Sequence, residues 1–230
     1  LVGCFIFAFL IINFFILINF TSKEKVSKSY LGPIINFLKR YGKFAFFILL
    51  LISLYRIADI VMGVMANIFY LEKGYKISEI ATFSKFFGVF ATIIGGFIGG
   101  YCSYKFGTMK ALFFGALIAA LSNLLFAWLA VSPISINFLI TVITADNISS
   151  GFAGAAFVIY LSGLTSVKFT ATQYALFSSI MLFLPKLIAG YAGAWVNVMG
   201  YAYFFSLTAF LGLPVLLLIF WIGKVAPIKN

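Results

Sequence analysis

The chain has 230 residues, of which 64% are hydrophobic and 9% charged, and its formal net charge is +11. A soluble domain carries about 25% charged residues, so this composition excludes a soluble protein and is typical of a membrane protein. Histidine is absent from the sequence, which excludes catalysis, metal ligation and proton relays that use an imidazole.

Long apolar runs predict seven transmembrane helices. A helix needs about 20 apolar residues to cross the bilayer core. The predicted spans are 1–20, 44–70, 79–101, 109–131, 134–166, 171–198 and 201–223. The sequence begins inside an apolar run without the basic stretch of a signal peptide. We therefore interpret 1–20 as the last helix of a missing N-terminal half, and 44–223 as the C-terminal six-helix bundle of a two-halved transporter.

The segment 21–43 is predicted to be a cytoplasmic connector between the two halves. Within it, Gly32–Tyr41 is expected to form a short amphipathic helix that begins at Pro33. The apolar face of this helix consists of Ile34, Phe37, Leu38 and Tyr41. The basic residues that can meet anionic headgroups are Lys39, Arg40 and Lys43. Both a surface anchor and a loosely ordered linker are compatible with this pattern.

Basic residues fall on one predicted side of the membrane. Besides the connector, they occupy the alternate turns, with Lys105 and Lys110 in one turn and Lys168 in another, and the tail 224–230. By the positive-inside rule this side is cytoplasmic, and so is the C-terminus. The same distribution explains the net charge without a nucleic-acid partner.

Five charged residues lie inside the predicted spans. They are Arg56, Asp59, Lys85, Asp146 and Lys186. A charge at a helix centre costs at least about 2.5–3.5 kcal/mol, so such residues usually face an aqueous cavity and mark a transport pathway.

Arg56 and Asp59 are three residues apart and therefore share a helix face. They can form a purely structural pair, or they can form a carboxylate whose proton affinity is tuned by the arginine. Asp146 lies roughly 18 Å into its span, near the middle of the membrane. The polar residues that follow it, Asn147, Ser149 and Ser150, suggest a cavity wall.

The two intramembrane lysines allow different interpretations. Lys85 is close to a membrane boundary and can either extend its amine outward or face the cavity. Lys186 follows Pro185, which lacks a backbone N–H and is expected to kink the helix. A kinked helix with a lysine in mid-span favours a cavity lining.

Small residues at four-residue spacing predict close helix packing. The clearest set is Gly95, Gly96, Gly99 and Gly100. The pairs Gly151/Gly154 and Gly190/Ala194 are expected to act in the same way.

The stretch from Gly100 to Lys110 resembles the G-x-x-x-D-R/K-x-G-x-x-R/K loop of major facilitators. The matching residues are Gly100, Lys105, Gly107 and Lys110. In these transporters the loop takes part in gating, and the resemblance implies that role here. Tyr104 replaces the usual aspartate, so the charge relay that the aspartate makes is not expected in this chain.

Further segments resemble the muropeptide permease family, the AmpG-type carriers of the major facilitator superfamily. They include Leu54-Tyr55-Arg56-Ile57-Ala58-Asp59, then Asp146-Asn147, and Phe169-Thr170-Ala171-Thr172-Gln173-Tyr174-Ala175-Leu176. The order and spacing match from about residue 29 to 223. Asp146 stands where glutamate is frequent, and Lys186 where arginine is expected, and both substitutions keep the charge.

The resemblance implies proton-driven import of anhydro-muropeptides, which are anionic cell-wall disaccharide peptides, across the bacterial inner membrane. Asp59, Arg56 and Asp146 are then the proton-coupling residues. The residues expected to bind substrate are Lys85, Lys186, Asn147, Gln173 and Tyr174. The expected partners are the substrate, protons, the bilayer and the N-terminal half, with no cofactor and no metal.

Two alternatives stay open. The chain can belong to a facilitator for another anionic metabolite, such as a nucleotide or an acyl-CoA derivative, or it can be a remnant that does not transport. A membrane acyl- or glycosyl-transferase would need a histidine or a clustered acidic motif, so we do not expect an enzyme.

Overall fold

The computed structural model describes residues 31–225, and the helices in this range are joined by short turns, with no strand. The predicted helix 1–20 and the end of the tail, 226–230, lie outside the described residues. Within residues 31–225, six segments are long and apolar enough to cross a membrane: Gly32–Lys73, Ile77–Phe106, Thr108–Val131, Ile136–Leu164, Val167–Ala189 and Ala192–Val225. The prediction of an all-α polytopic membrane protein is confirmed.

The α-helices are α1 (Gly32–Tyr41), α2 (Ala45–Leu54), α3 (Ile57–Lys73), α4 (Ile77–Ala81), α5 (Gly88–Phe106), α6 (Thr108–Val131), α7 (Ile136–Leu164), α8 (Thr170–Ala189), α9 (Ala192–Phe210) and α10 (Gly212–Val225). Two short 3₁₀ turns, Gly42–Phe44 and Val167–Phe169, precede α2 and α8. A π-helical segment, Thr82–Phe87, joins α4 to α5.

Helix α1 lies at the position where the sequence predicts an amphipathic helix, and Pro33 is in its first turn. Burial is uneven around this helix. Pro33 and Phe37 are buried against the bundle, whereas Ile34 and Leu38 are exposed. The ring of Phe37 packs 5.1 Å from the ring of Phe177, which is why this side of α1 faces inward.

The turns cluster at two ends of the bundle. At one end, the Arg40 guanidinium donates a hydrogen bond of 3.2 Å to the Thr165 carbonyl oxygen. At the other end, the Lys73 amine donates one of 2.7 Å to the Ser132 carbonyl oxygen. The first end carries most of the lysines and arginines, including Lys224, and we call it the basic end.

The helical structure is interrupted within the predicted span 171–198 and again between this span and the last one, 201–223. Helix α8 continues through Pro185 and ends at Ala189, and α9 contains a kink at Gly200, where φ is 76° and ψ is 166°. A glycine suits this conformation because it has no Cβ. The kink coincides with the turn predicted between 198 and 201. The hydroxyl of Tyr201, the next residue, donates a 2.9 Å hydrogen bond to Glu72, so this turn lies at the end opposite the basic end.

Glycines bring α5 and α7 into backbone contact, and we call this contact the α5–α7 seam. A Cβ built on Gly95 would overlap the carbonyl oxygen of Ile148, and one built on Gly99 would lie 2.5 Å from that of Phe152. A Cβ on Gly151 would overlap the carbonyl oxygen of Thr92. Close packing is therefore confirmed for Gly95 and Gly99.

The other predicted small residues contribute less to close packing. A Cβ on Gly100 would have no described neighbour within 4 Å, and one on Gly96 would only come within 3.9 Å of a backbone oxygen. Gly154 faces the Arg56 guanidinium, and Gly190 lies against its own helical turn. The expectation of close packing was too broad because alternate glycines on a helix face different neighbours.

Candidate functional site

The first span among the described residues, Gly32–Lys73, is interrupted at Tyr55 and Arg56. Helix α2 ends at Leu54 and α3 begins at Ile57, while Arg56 has a φ of −99° and a ψ of 12°. The Tyr55 ring stacks on Phe157 with 4.6 Å between centroids. Discontinuous helices are a recurring feature of transporter binding sites, because the freed backbone ends can face a cavity.

The hydroxyl of Tyr55 fixes the interruption to two other spans. It lies within hydrogen-bond distance of the Leu112 carbonyl oxygen, at 3.3 Å, and of the Ala153 carbonyl oxygen, at 3.4 Å. These acceptors belong to α6 and α7. Because Tyr55 is buried, this anchorage holds the neighbouring Arg56 at a defined place in the bundle.

Arg56 and Asp59 form an ion pair directly after the interruption. The guanidinium Nη2 lies 3.2 Å from the Asp59 carboxylate Oδ2, and the side chains are 25% and 11% exposed. Asp59 is in the first turn of α3, where the positive end of the helix dipole favours a carboxylate. The predicted pairing of these two side chains is confirmed, while their role in proton coupling stays a proposal.

The same guanidinium reaches the span that carries Asp146. Its Nη2 donates a 3.1 Å hydrogen bond to the Ser150 hydroxyl, one turn beyond Asp146 on α7. Asp146 is close enough to Asp59 and Arg56 to interact with both electrostatically. The structure therefore brings the three predicted proton-coupling residues into one group, together with Ser150.

This group keeps unused hydrogen-bonding capacity. Within the described part of the chain, the Arg56 Nε and the Asp59 Oδ1 are buried atoms without a hydrogen-bond partner. A buried polar atom without a partner costs about 1–3 kcal/mol, so such atoms usually have a functional reason. One free donor and one free acceptor beside each other can bind a polar ligand or a water molecule.

Asn147 is held within the α5–α7 seam. Its Oδ1 accepts a 3.0 Å hydrogen bond from the Thr92 hydroxyl, and its Nδ2 donates one of 2.8 Å to the Ile143 carbonyl oxygen. A Cβ on Gly88 would lie 3.1 Å from its amide. Asn147 thus joins the two helices and lies next in the chain to Asp146.

The two intramembrane lysines are exposed and form no salt bridge with a described residue. Lys85 lies in the π-helical segment Thr82–Phe87. Such segments are rare and are frequently found at functional sites. Lys186 follows the buried Pro185 on α8. Both amines are free to meet an anion.

Gln173 lies at the basic end, where it connects α1 to α8. Its Nε2 donates a 2.9 Å hydrogen bond to the Pro33 carbonyl oxygen, and its Oε1 accepts one of 2.7 Å from the Ser166 N–H. Only 1% of Gln173 is exposed. Its neighbour Tyr174 is half-buried and packs against the core.

The residues that resemble the gating loop surround the turn between α5 and α6. Gly107 forms this turn with a φ of 90°. The Lys105 amine lies 5.7 Å from the centroid of Tyr101 and 5.5 Å from that of Phe106. Lys110, in the first turn of α6, is exposed. Gly100 lies on α5, seven residues before Gly107.

Metal ligation has no support in the range 31–225, where no group of three or more Cys, Asp or Glu side chains could hold an ion. The sequence assigned no role to two supporting residues of the site, Tyr55 and Thr92. Ser150 was noticed as part of a polar patch, but a partner 94 residues away gives no local signal.

Comparison with known proteins identifies a set of relatives. The chain is 36% identical over 207 residues to a protein of Rickettsia felis named "Putative transporter AmpG 4". The matched region covers 90% of this chain and 50% of the relative. A Rickettsia conorii protein of the same name is 35% identical over 206 residues, with 90% and 49% coverage.

A third relative, "Putative transporter AmpG 1" of Rickettsia bellii, is 35% identical over 186 residues, which is 80% of this chain and 45% of the relative. No family model matches the chain. The chain spans about half the length of these relatives.

Proposed function

The chain belongs to the family of these AmpG-named transporters, and we propose that it forms the C-terminal half of a proton-coupled facilitator that imports anhydro-muropeptides. The ion pair at the interrupted first span is the observation that carries this proposal. A buried pair that leaves one donor and one acceptor unsatisfied is poorly suited to a purely structural role.

Proton uptake and substrate binding are coupled because Asp59 and a substrate carboxylate compete for the Arg56 guanidinium. While the cavity is wet, Arg56 holds Asp59 in its ionised form. When the cavity closes and dries, a neutral carboxyl is favoured over a charged one. A proton taken up by Asp59 then frees Arg56, whose guanidinium can bind a carboxylate of the substrate. Release of that proton on the other side of the membrane restores the pair.

Charge complementarity supports an anionic cargo. Muropeptides carry several carboxylates, and the described part of the chain offers the amines of Lys85 and Lys186 without acidic partners. A carboxylate binds such amines through charge-assisted hydrogen bonds. We propose that Asn147, Gln173 and Tyr174 act mainly by positioning the helices that carry these charges.

We also propose the orientation of the chain. The basic end, with Arg40, Lys105, Lys168 and Lys224, faces the cytoplasm by the positive-inside rule, which places the C-terminus there as well. The membrane is then the bacterial inner membrane. The residues at 100–110 form the cytoplasmic gating turn, and an N-terminal half supplies the opposite wall of the cavity.

The experiment is an accumulation assay on the complete carrier in vesicles with labelled muropeptide. Asp59→Asn imitates the protonated carboxyl, so we expect it to lose accumulation driven by a pH gradient while it keeps exchange of substrate. Asp146→Asn, the matched control, should retain at least partial accumulation. If Asp59→Asn still concentrates substrate in response to a pH gradient, Asp59 is not the coupling residue, and Asp146 takes its place.

A second candidate is a facilitator for another anionic metabolite, such as a nucleotide or an acyl-CoA derivative. The two exposed lysines favour it equally, because they recognise negative charge rather than a sugar or a peptide. Competition separates the candidates. If unlabelled nucleotide inhibits gradient-driven uptake and muropeptide does not, the substrate assignment fails while the coupling proposal stands.

A further inference from the structure

A groove lies between α6 and α10 at the basic end. The two helices run antiparallel, since a Cβ on Gly223 would lie 3.7 Å from Met109 and one on Gly212 would lie 3.1 Å from Ala120. Near Gly223 they leave a cavity of about 500 Å³. Ligand pockets in proteins measure about 300–1,000 Å³, so the groove is large enough for a ligand.

The groove has an apolar interior and a basic mouth. Phe113 and Phe114 lie three and four residues after Lys110, and Phe220 lies four residues before Lys224. Residues at these spacings share a helix face. Because the helices are antiparallel, both lysines are at the same end of the groove, and the aromatic rings lie one turn deeper.

The floor of the groove is the side chain of Ile219, of which 2% is exposed. Half of Phe114 and more than half of Phe220 are exposed, so the walls present apolar surface to the outside of the bundle. None of the described residues that line the groove is acidic. The two lysine charges are therefore not compensated within it.

Aromatic residues indicate the depth of the groove in the membrane. Trp221 follows Phe220, is partly exposed and packs 4.6 Å from the ring of Phe47. Tryptophan is enriched at the level of the lipid headgroups. The Lys224 amine lies 4.2 Å from the centroid of the Phe220 ring. The charged mouth thus lies where a lipid phosphate would be, and the apolar walls lie where its acyl chain would be.

We propose that this groove binds one anionic phospholipid, with its phosphate between Lys110 and Lys224 and an acyl chain along Phe113, Phe114 and Ile219. Basic pockets between transmembrane helices attract anionic headgroups. The apolar walls distinguish a lipid from free phosphate, which would gain nothing from them. This site is on the outer surface of α6 and α10, and it shares Lys110 with the turn at 100–110.

The experiment is native mass spectrometry of the full chain in detergent with an equimolar mixture of dioleoyl-phosphatidylglycerol and dioleoyl-phosphatidylcholine. We expect the wild type to prefer the anionic lipid by about tenfold. Lys110→Gln/Lys224→Gln should bring this preference close to one, and each single variant should lower it by about threefold. Lys168→Gln, an exposed lysine at the same end but outside the groove, should keep the wild-type preference.

A second variant tests the groove apart from its charges. Gly223→Leu introduces a side chain into the groove, where the Cβ would make ordinary contacts. We expect it to lose the bound phosphatidylglycerol although both lysines remain. An unchanged preference in the lysine variants, or in Gly223→Leu, would overturn the proposal. So would displacement of the lipid from the wild type by inorganic phosphate at millimolar concentration, since that result identifies an anion site without a lipid component.

Discussion

The α5–α7 seam and the interruption at Tyr55–Arg56 satisfy buried polar groups in opposite ways. In the seam, both ends of the Asn147 amide have hydrogen-bond partners, and glycines bring the backbones into contact. At the interruption, the Arg56–Asp59 pair has a partner in Ser150 but leaves two buried atoms without a partner among residues 31–225. One region satisfies its own polar groups, and the other leaves a donor and an acceptor to which a further partner can bind.

This difference indicates which region is structural and which can change state. A bilayer core has no water that could satisfy a free polar group, so incomplete hydrogen bonding there costs free energy. The seam avoids this cost by packing, and substitutions in it should affect stability. At the interruption the free-energy cost of incomplete hydrogen bonding remains. Substitutions there should therefore affect stability and transport differently.

The largest effect is expected when the ion pair is broken from one side. Asp59→Leu leaves the Arg56 charge without its partner and should lower the free energy of unfolding by about 3 kcal/mol. We choose the lower end of the usual range because a quarter of Arg56 is still exposed. Unfolding in mixed micelles, followed by circular dichroism, measures the change.

The matched control is the double variant Arg56→Met/Asp59→Leu. An apolar pair often replaces a buried ion pair without loss of stability. This variant should therefore recover most of the roughly 3 kcal/mol of unfolding free energy that the single variant loses. In the complete carrier it should nevertheless be inactive. A double variant that is stable and still drives accumulation would show that the pair has no function in coupling.

The seam provides the second prediction. The Cβ of Gly95→Ala would overlap a backbone oxygen that cannot move aside, so we expect a loss of about 2 kcal/mol in unfolding free energy. Gly100 lies on the same helix, and a Cβ added to it would have no described atom within 4 Å, so Gly100→Ala should be neutral or gain up to about 1 kcal/mol from better helix propensity. Equal stability of the two variants would contradict the close contact at Gly95.

The sequence predicts these regions to different degrees. The six spans are visible because each apolar run is long enough to cross the bilayer. The ion pair is visible because Arg56 and Asp59 are three residues apart. The interruption beside them is not visible, since neither glycine nor proline occurs there, and it depends on Tyr55 bonding to α6 and α7.

Long-range contacts explain the other differences. Gln173 belongs to a segment that suggested substrate contact, yet the structure shows it bonded to Pro33, 140 residues earlier. Phe37 was expected on the apolar face of α1, and its packing against Phe177 on α8 determines which side of the helix is buried. In both cases the partner lies in another helix, and helical periodicity contains no information about it.

Variants of the exposed lysines test whether the functional site extends beyond the interruption at Tyr55–Arg56. If Lys85 and Lys186 line the cavity, Lys85→Gln or Lys186→Gln in the complete carrier should weaken substrate binding by about 1.5 kcal/mol, or roughly tenfold. Lys76→Gln, an exposed lysine at the N-terminus of α4, is the control and should leave affinity unchanged. Equal affinity in all three variants would exclude a cavity role for both amines.

The smallest effect is expected at the end opposite the basic end, where Tyr201 and Glu72 connect the last span to the first. Tyr201→Phe removes a single 2.9 Å hydrogen bond at an exposed position, so it should lower the free energy of unfolding by about 0.5 kcal/mol. The ring contact with Phe69, at 4.9 Å, should survive the substitution. Tyr203→Phe is the control, because Tyr203 is exposed and donates no hydrogen bond to a described residue. The hydrogen bond between Tyr201 and Glu72 is formed, as are those of the seam, so its removal should change stability alone. A Tyr201→Phe carrier with normal stability but altered accumulation would place this end of the bundle with the interruption, among the parts that change state.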